Sequence, residues 1–194
     1  IQLAALVIFT TSRLLTSAWL GPESVVIYDA GFKVFSIVTM VHTLLMVTIW
    51  SSFTQAFERR EFAWIRQTLL RLTLFMLPLT AMCVVLAVTS PSIIRHWLGD
   101  AQVGTAFFYT VLAITTILSC WSNIFAYILN GVGDTRVQLI SAITAAAINV
   151  PATYFFALTL GLGLVGIVLG TLVSLLPFCI LGPYAVRQLL REYK

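Results

Sequence analysis

The chain has 194 residues, of which 60% are hydrophobic and 9% charged, with a formal net charge of +4. Its mean hydropathy is +1.01. A soluble domain carries about 25% charged residues, so this composition excludes an ordinary soluble enzyme and makes lipid the solvent for much of the surface.

At about 20 residues per crossing, six spans fit the length. They are expected at residues 1–20, 28–53, 72–90, 105–129, 138–160 and 163–183. The first is not a signal peptide, since Ile1 opens directly in an apolar run with no charged leader and no small-residue cleavage site. A chain that begins this way reads as part of a longer protein. The stretch 58–71, between the second and third spans, mixes charges with Phe62, Trp64, Ile65, Leu69 and Leu70. It is expected to form an interfacial amphipathic helix with its arginines at phosphate level.

The loops predict the topology. Arg59, Arg60, Arg66 and Arg71 follow the second span, Arg136 the fourth, and Arg187, Arg191 and Lys194 the sixth, whereas the odd-numbered loops hold only Arg95. This asymmetry puts the second loop, the fourth loop and the C-terminus in the cytoplasm. Because the basic residues sit in such loops, the positive charge sets topology and does not indicate nucleic acid. Pro78, Pro151 and Pro177 fall inside apolar runs and are expected to kink their helices. Gly166 and Gly170 form a small-xxx-small face for close helix approach.

No catalytic set is visible: there is no HExxH, no phosphate-binding loop and no paired carboxylates on one helix face. Cys83, Cys120 and Cys179 lie in separate apolar segments and read as packing residues. No cofactor or metal is implied. In the GVGDT stretch, Asp134 or Thr135 is expected to cap the fifth helix.

The positive signal is charge at membrane depth. Arg13 lies about 20 Å along the first span, and Lys33 lies one to two turns into the second. Such cations normally face a bundle interior or a wet cavity, the alternative being that they snorkel to an interface. Asp29 precedes Lys33 by four residues, which predicts an ion pair or a cation-coupling carboxylate. His42, mid-span, is either a packing residue or a polar lining group. Asn123 and Asn149 are expected to satisfy backbone groups. Trp50 reads as an interface or packing aromatic, or as a stacking surface for a sugar ring if it faces a cavity. Arg13 and Lys33 together suit an anionic ligand such as pyrophosphate.

Specific residues carry a resemblance. Leu129 to Arg136 (LNGVGDTR), then Asn149 and Pro151, then Gly163, Gly166, Gly170 and Thr171, resemble the multidrug/oligosaccharidyl-lipid/polysaccharide exporter superfamily. Leu20 to Val25 (LGPESV) with Tyr28 and Lys33, then Ile49 to Phe53 (IWSSF), then Glu61 to Ile65, are similar to its polysaccharide (Wzx-type, O-antigen) flippase branch. The resemblance implies an all-α six-helix membrane bundle over residues 1–194, the C-terminal lobe of a two-lobe transporter whose N-terminal lobe would be its partner. It implies a non-enzymatic flippase in a bacterial inner membrane. Such a flippase moves undecaprenyl-pyrophosphate-linked oligosaccharide by cation-coupled alternating access, with Arg13, Lys33 and His42 toward substrate and Asp29 toward the coupling ion. A multidrug or cation antiporter lobe and a non-transporting membrane scaffold remain open alternatives.

Overall fold

The computed structural model describes residues 2–192; the side chains of residues 2–9, 101 and 192 are outside that description, as are Ile1 of the expected first span and Lys194 of the basic tail. Six helices follow one another: α1 (Gln2–Leu20), α2 (Pro22–Glu58), α3 (Phe62–Leu98), α4 (Ala106–Val132), α5 (Arg136–Tyr154) and α6 (Leu164–Glu192). A short 3₁₀ turn at Asp100–Gln102 precedes α4, and a π-helical turn at Phe155–Thr159 follows α5. Among the described residues, five segments are long and apolar enough to cross a membrane: Pro22–Glu58, Phe62–Leu98, Ala106–Val132, Arg136–Thr159 and Leu164–Arg191. The expected first span coincides with α1, in which residues 2–9 have side chains outside the description.

Two helices are longer than expected. At 1.5 Å per residue, the 37 residues of α2 run about 55 Å, well beyond a hydrocarbon core of about 30 Å. The helix starts at once after Gly21, whose φ of 86° makes the reversal from α1 in a single residue, and Pro22 opens it where a missing N–H costs nothing. The separate interfacial helix expected at 58–71 does not exist. The chain turns at Arg59 to Glu61, with Arg60 at φ 59°, and residues 62–71 are the first turns of α3. The reason is packing: Ile65, Thr68, Leu72, Met76, Leu79 and Cys83 are all buried, a stripe at helical period that runs through the charged segment without a break.

The core is built around α4, which buries Phe108, Tyr109, Leu112, Ile124, Ile128 and Leu129 against α2, α3 and α6. Large apolar side chains such as Met40, Leu77, Val88, Ile143 and Ile180 stay exposed, as lipid-facing positions should. The tightest contact joins α5 and α6. A Cβ on Gly166 would strike the backbone of Ala157, and one on Gly170 would lie 2.6 Å from Cα and 2.7 Å from N of Thr153. The expected small-residue face is therefore used backbone against backbone. Of the three prolines expected to kink their helices, Pro78 and Pro177 sit in helices that continue past them. Only after Pro151 does α-helical bonding give way, when Leu160 N–H donates to Phe155 O at 2.9 Å.

The ends agree with an alternating up-and-down course. Arg66 Nη2 at the start of α3 donates to Leu190 O at the end of α6 at 2.7 Å. Gly131 near the end of α4 lies against Phe53 and Thr54 near the end of α2. The Arg-rich second and fourth loops and the end of α6 thus share one end of the bundle.

Candidate functional site

The charged residues expected at membrane depth are placed in two groups. Arg13 lies seven residues before the end of α1 and Asp29 seven residues after the start of α2, so each is about 10 Å from the shared turn at Gly21. At that common level Arg13 Nη2 meets Asp29 Oδ2 at 2.7 Å, with the side chains 62% and 29% exposed. The pair expected between Asp29 and Lys33 is not formed, because the cross-helix guanidinium takes the carboxylate. Lys33 is exposed, and its Nζ stands 5.7 Å from the ring centroid of Trp97 at the end of α3, a cation–π distance. His42 is 1% exposed, and neither ring nitrogen has a partner.

Behind the Arg13–Asp29 pair is a buried polar seam. Ser12 Oγ and Thr171 Oγ1 are 3.1 Å apart, Thr16 donates to Ser12 O at 2.8 Å, and Asn149 Nδ2 donates to Ser174 Oγ at 3.3 Å. These bonds tie α1 and α5 to α6. Asn149, expected to satisfy backbone, instead bonds a hydroxyl, and its Oδ1 is without a partner.

A cavity of about 350 Å³ opens between α2, α4, α5 and α6. Ser36, Thr39, Thr115, Thr116, Ser119, Ser122, Asn123, Gln138, Ser141 and Ser174 line it, with Phe32, Phe35 and Phe178. No charged side chain lines it, so Arg13 and Lys33 do not belong to this cavity. Both cations are on exposed faces instead. Gln138 Nε2 donates to Ala126 O at 2.9 Å, while Gln138 Oε1 and Ser141 Oγ are buried without partners. Sequence reasoning missed this lining, though α4 carries its signal: Thr115, Ser119, Ser122, Asn123 and Ala126 recur at three- and four-residue steps.

The GVGDT stretch is a helix junction. Gly133 N–H donates to Asn130 O and Asp134 N–H to Leu129 O, at 3.2 and 3.0 Å, with Gly133 at φ 83°. That is a Schellman ending. Asp134 Oδ1 then accepts from Arg136 N at 3.4 Å, an Asx-type bond just before the start of α5, while Thr135, at the N-cap position, makes no side-chain cap bond. Among the described residues, no cluster of three His, Cys, Asp or Glu could hold a metal ion.

An all-helical bundle with apolar outer faces and a polar cleft between its helices has the architecture of a multi-pass membrane protein. The family model named MatE matches residues 1–155, and the chain belongs to that family. Its fold is similar to a MATE transporter in a bent conformation, with TM-score 0.79 and 22% identity over 93% of this chain and 41% of that one. It is similar to an outward-facing multidrug resistance transporter of the MATE family, with TM-score 0.82 and 15% identity over 99% and 44%. A third similar fold is a MOP superfamily transporter from Pyrococcus furiosus, described as having a binding pocket of reverse polarity, with TM-score 0.77 and 22% identity over 94% and 42%. The chain thus spans under half the length of these structures. No match is found among curated proteins.

Proposed function

We propose that the chain is one lobe of a flippase that carries an anionic, lipid-linked saccharide across a bacterial inner membrane by alternating access, with the C-terminus in the cytoplasm. The observation that supports this reading is the placing of two cations within the apolar lengths of α1 and α2, Arg13 and Lys33, with Asp29 the carboxylate beside them, while Glu23 and Glu58 lie at the two ends of α2. A diphosphate crossing hydrocarbon needs a mobile or fixed cation along its route, and among the described residues Lys33 pairs with no carboxylate. In this reading a second lobe packs beside the lobe described here, and membrane lipids cover the remainder.

A multidrug antiporter lobe is the second reading. It draws on Asp29, which is held at 2.7 Å from Arg13 and is the one acidic side chain among these cations; a cationic substrate would compete for it. The test is translocation of a fluorescent undecaprenyl-pyrophosphate saccharide by the full-length protein in proteoliposomes. Lys33→Gln and Arg13→Gln should each slow it at least tenfold. Unimpaired flipping in both variants, or no flipping by the parent together with Asp29-dependent export of an organic cation, would overturn the flippase reading.

A further inference from the structure

A second concavity, of about 470 Å³, lies at the Arg-rich end of the bundle, apart from the cavity between the helices. Its walls are one face of α2 and the turn from α4 to α5. On α2, Val47, Trp50, Ser51, Thr54 and Glu58 recur at three- and four-residue steps, and Asn130 to Gly133 close the other side. From Val47 to Glu58 the groove runs on the order of 16 Å. Gly131 lets the end of α4 lie close against α2, since a Cβ there would meet Phe53 Cβ at 3.1 Å.

The chemistry of this lining is specific. Trp50 is 46% exposed and is held by Tyr127 of α4, edge to face, with ring centroids 6.0 Å apart. Beside it stand two hydroxyls, a carboxylate and an amide. Thr48, one step off the groove, donates its hydroxyl to Leu45 O. Among the described residues, Ser51, Thr54, Glu58 and Asn130 make no such side-chain bond and no ion pair. An indole with an open surface, flanked by donors and acceptors in mixed supply, fits a ligand with an apolar ring face and a rim of hydroxyls. A hydrophobic drug needs predominantly apolar walls, and here only Val47, Trp50 and Val132 supply them.

We infer that this groove is a saccharide-binding site that takes a neutral sugar unit of the substrate at the loading end of the lobe. The inference rests on the flippase reading for its biological substrate, and on the groove alone for its chemistry. Arg59 and Arg60 follow Glu58 directly, and Arg136 follows Gly133 by three residues. A phosphate attached to the sugar would therefore meet guanidinium groups at the groove's open end.

The test uses the full-length protein in lauryldimethylamine oxide, a detergent without a sugar headgroup. The probes are free lactose and N,N′-diacetylchitobiose, followed by saturation-transfer NMR. The expected result is transfer to ring C–H protons of at least one of them. Its apparent affinity should fall about tenfold in Trp50→Ala, as for loss of a central aromatic anchor, and recover partly in Trp50→Phe. Glu58→Gln and Thr54→Val, both peripheral to the core, should weaken it several-fold with the protein still monodisperse. No transfer from either sugar, or equal transfer in Trp50→Ala, overturns the groove assignment. So does Trp50- and Glu58-dependent binding of tetraphenylphosphonium in place of sugar. Sugar binding without translocation of the lipid-linked saccharide overturns the flippase reading and leaves the groove. Translocation that is unchanged in Trp50→Ala overturns the groove's role and leaves the flippase.

Discussion

Replacing Gly170 by alanine isolates the contact on which the α5–α6 interface rests. The added methyl would sit 2.6 Å from Thr153 Cα and 2.7 Å from Thr153 N, and against Thr153 Oγ1. Carbon atoms pack at about 3.5–4.0 Å, so the helices must part by about 1 Å. Overpacking costs about 1–3 kcal/mol where side chains can yield. Here backbone is struck, so the upper end applies. Parting the helices also stretches the Asn149–Ser174 bond, which adds about 0.6 kcal/mol at the membrane average. The expected loss is about 3 kcal/mol, a hundredfold in the folded-to-unfolded ratio. The assay is unfolding of purified protein in mild detergent, followed by exposure of its buried cysteines to a fluorogenic maleimide. Gly182→Ala is the control, because its methyl would meet only the side chains of Phe125 and Phe178, at 3.2 Å; it should lose less than about 1 kcal/mol. If Gly170→Ala is as stable as the control, the two helices are not in backbone contact and the reasoning fails.

Three other perturbations follow from the same geometry. Arg13→Gln should leave Asp29 unpaired at membrane depth, while Arg13→Gln with Asp29→Asn should be the more stable of the two by melting temperature; equal stability would show that the 2.7 Å pair contributes nothing. Cys83, Cys120 and Cys179 are buried and should resist alkylation in the folded protein, so rapid native labelling of Cys83 or Cys120, at 0% and 1% exposure, would contradict their packing. Asp134→Ala removes the acceptor for Arg136 N and should cost about 0.5–1 kcal/mol, with Asp134→Asn retaining most of it.

The helices were legible because lipid imposes a simple rule on composition, and the small-residue face because Gly166 and Gly170 are spaced one turn apart. The continuation of α3 through residues 62–71 was also written in the sequence. Ile65, Thr68 and Leu72 continue the stripe of Met76, Leu79 and Cys83, but Arg66 and Arg71 on the opposite face obscured it. The partner of Asp29 was not legible. Its four-residue spacing to Lys33 is a local pattern, whereas its distance to Arg13 depends on the register of two helices about the reversal at Gly21. Likewise, the sequence spacing of α2 marks Trp50, Ser51, Thr54 and Glu58 as one face, but not what stands across from it. Asn130 arrives there only because Gly131 lets α4 close on α2.

The distribution of polarity follows from cost. A cation sealed inside a helix bundle is expensive, and water or a carboxylate must offset it. The bundle therefore fills its cavity with hydroxyls and amides, many of which satisfy themselves on carbonyls three or four residues earlier, as Thr115, Thr116 and Ser174 do. Arg13 and Lys33 keep to faces where the chain leaves them exposed, one tied to Asp29 and the other resting on Trp97. In the flippase proposed above, recognition of charge by Arg13 and Lys33 takes place at the surface of the lobe and not within its own cavity. An anionic substrate that bound only inside the α2–α4–α5–α6 cavity would be at odds with this division. Gln138→Leu, which changes the cavity and neither cation, should accordingly leave charge selectivity intact, whereas Lys33→Glu should invert or abolish it.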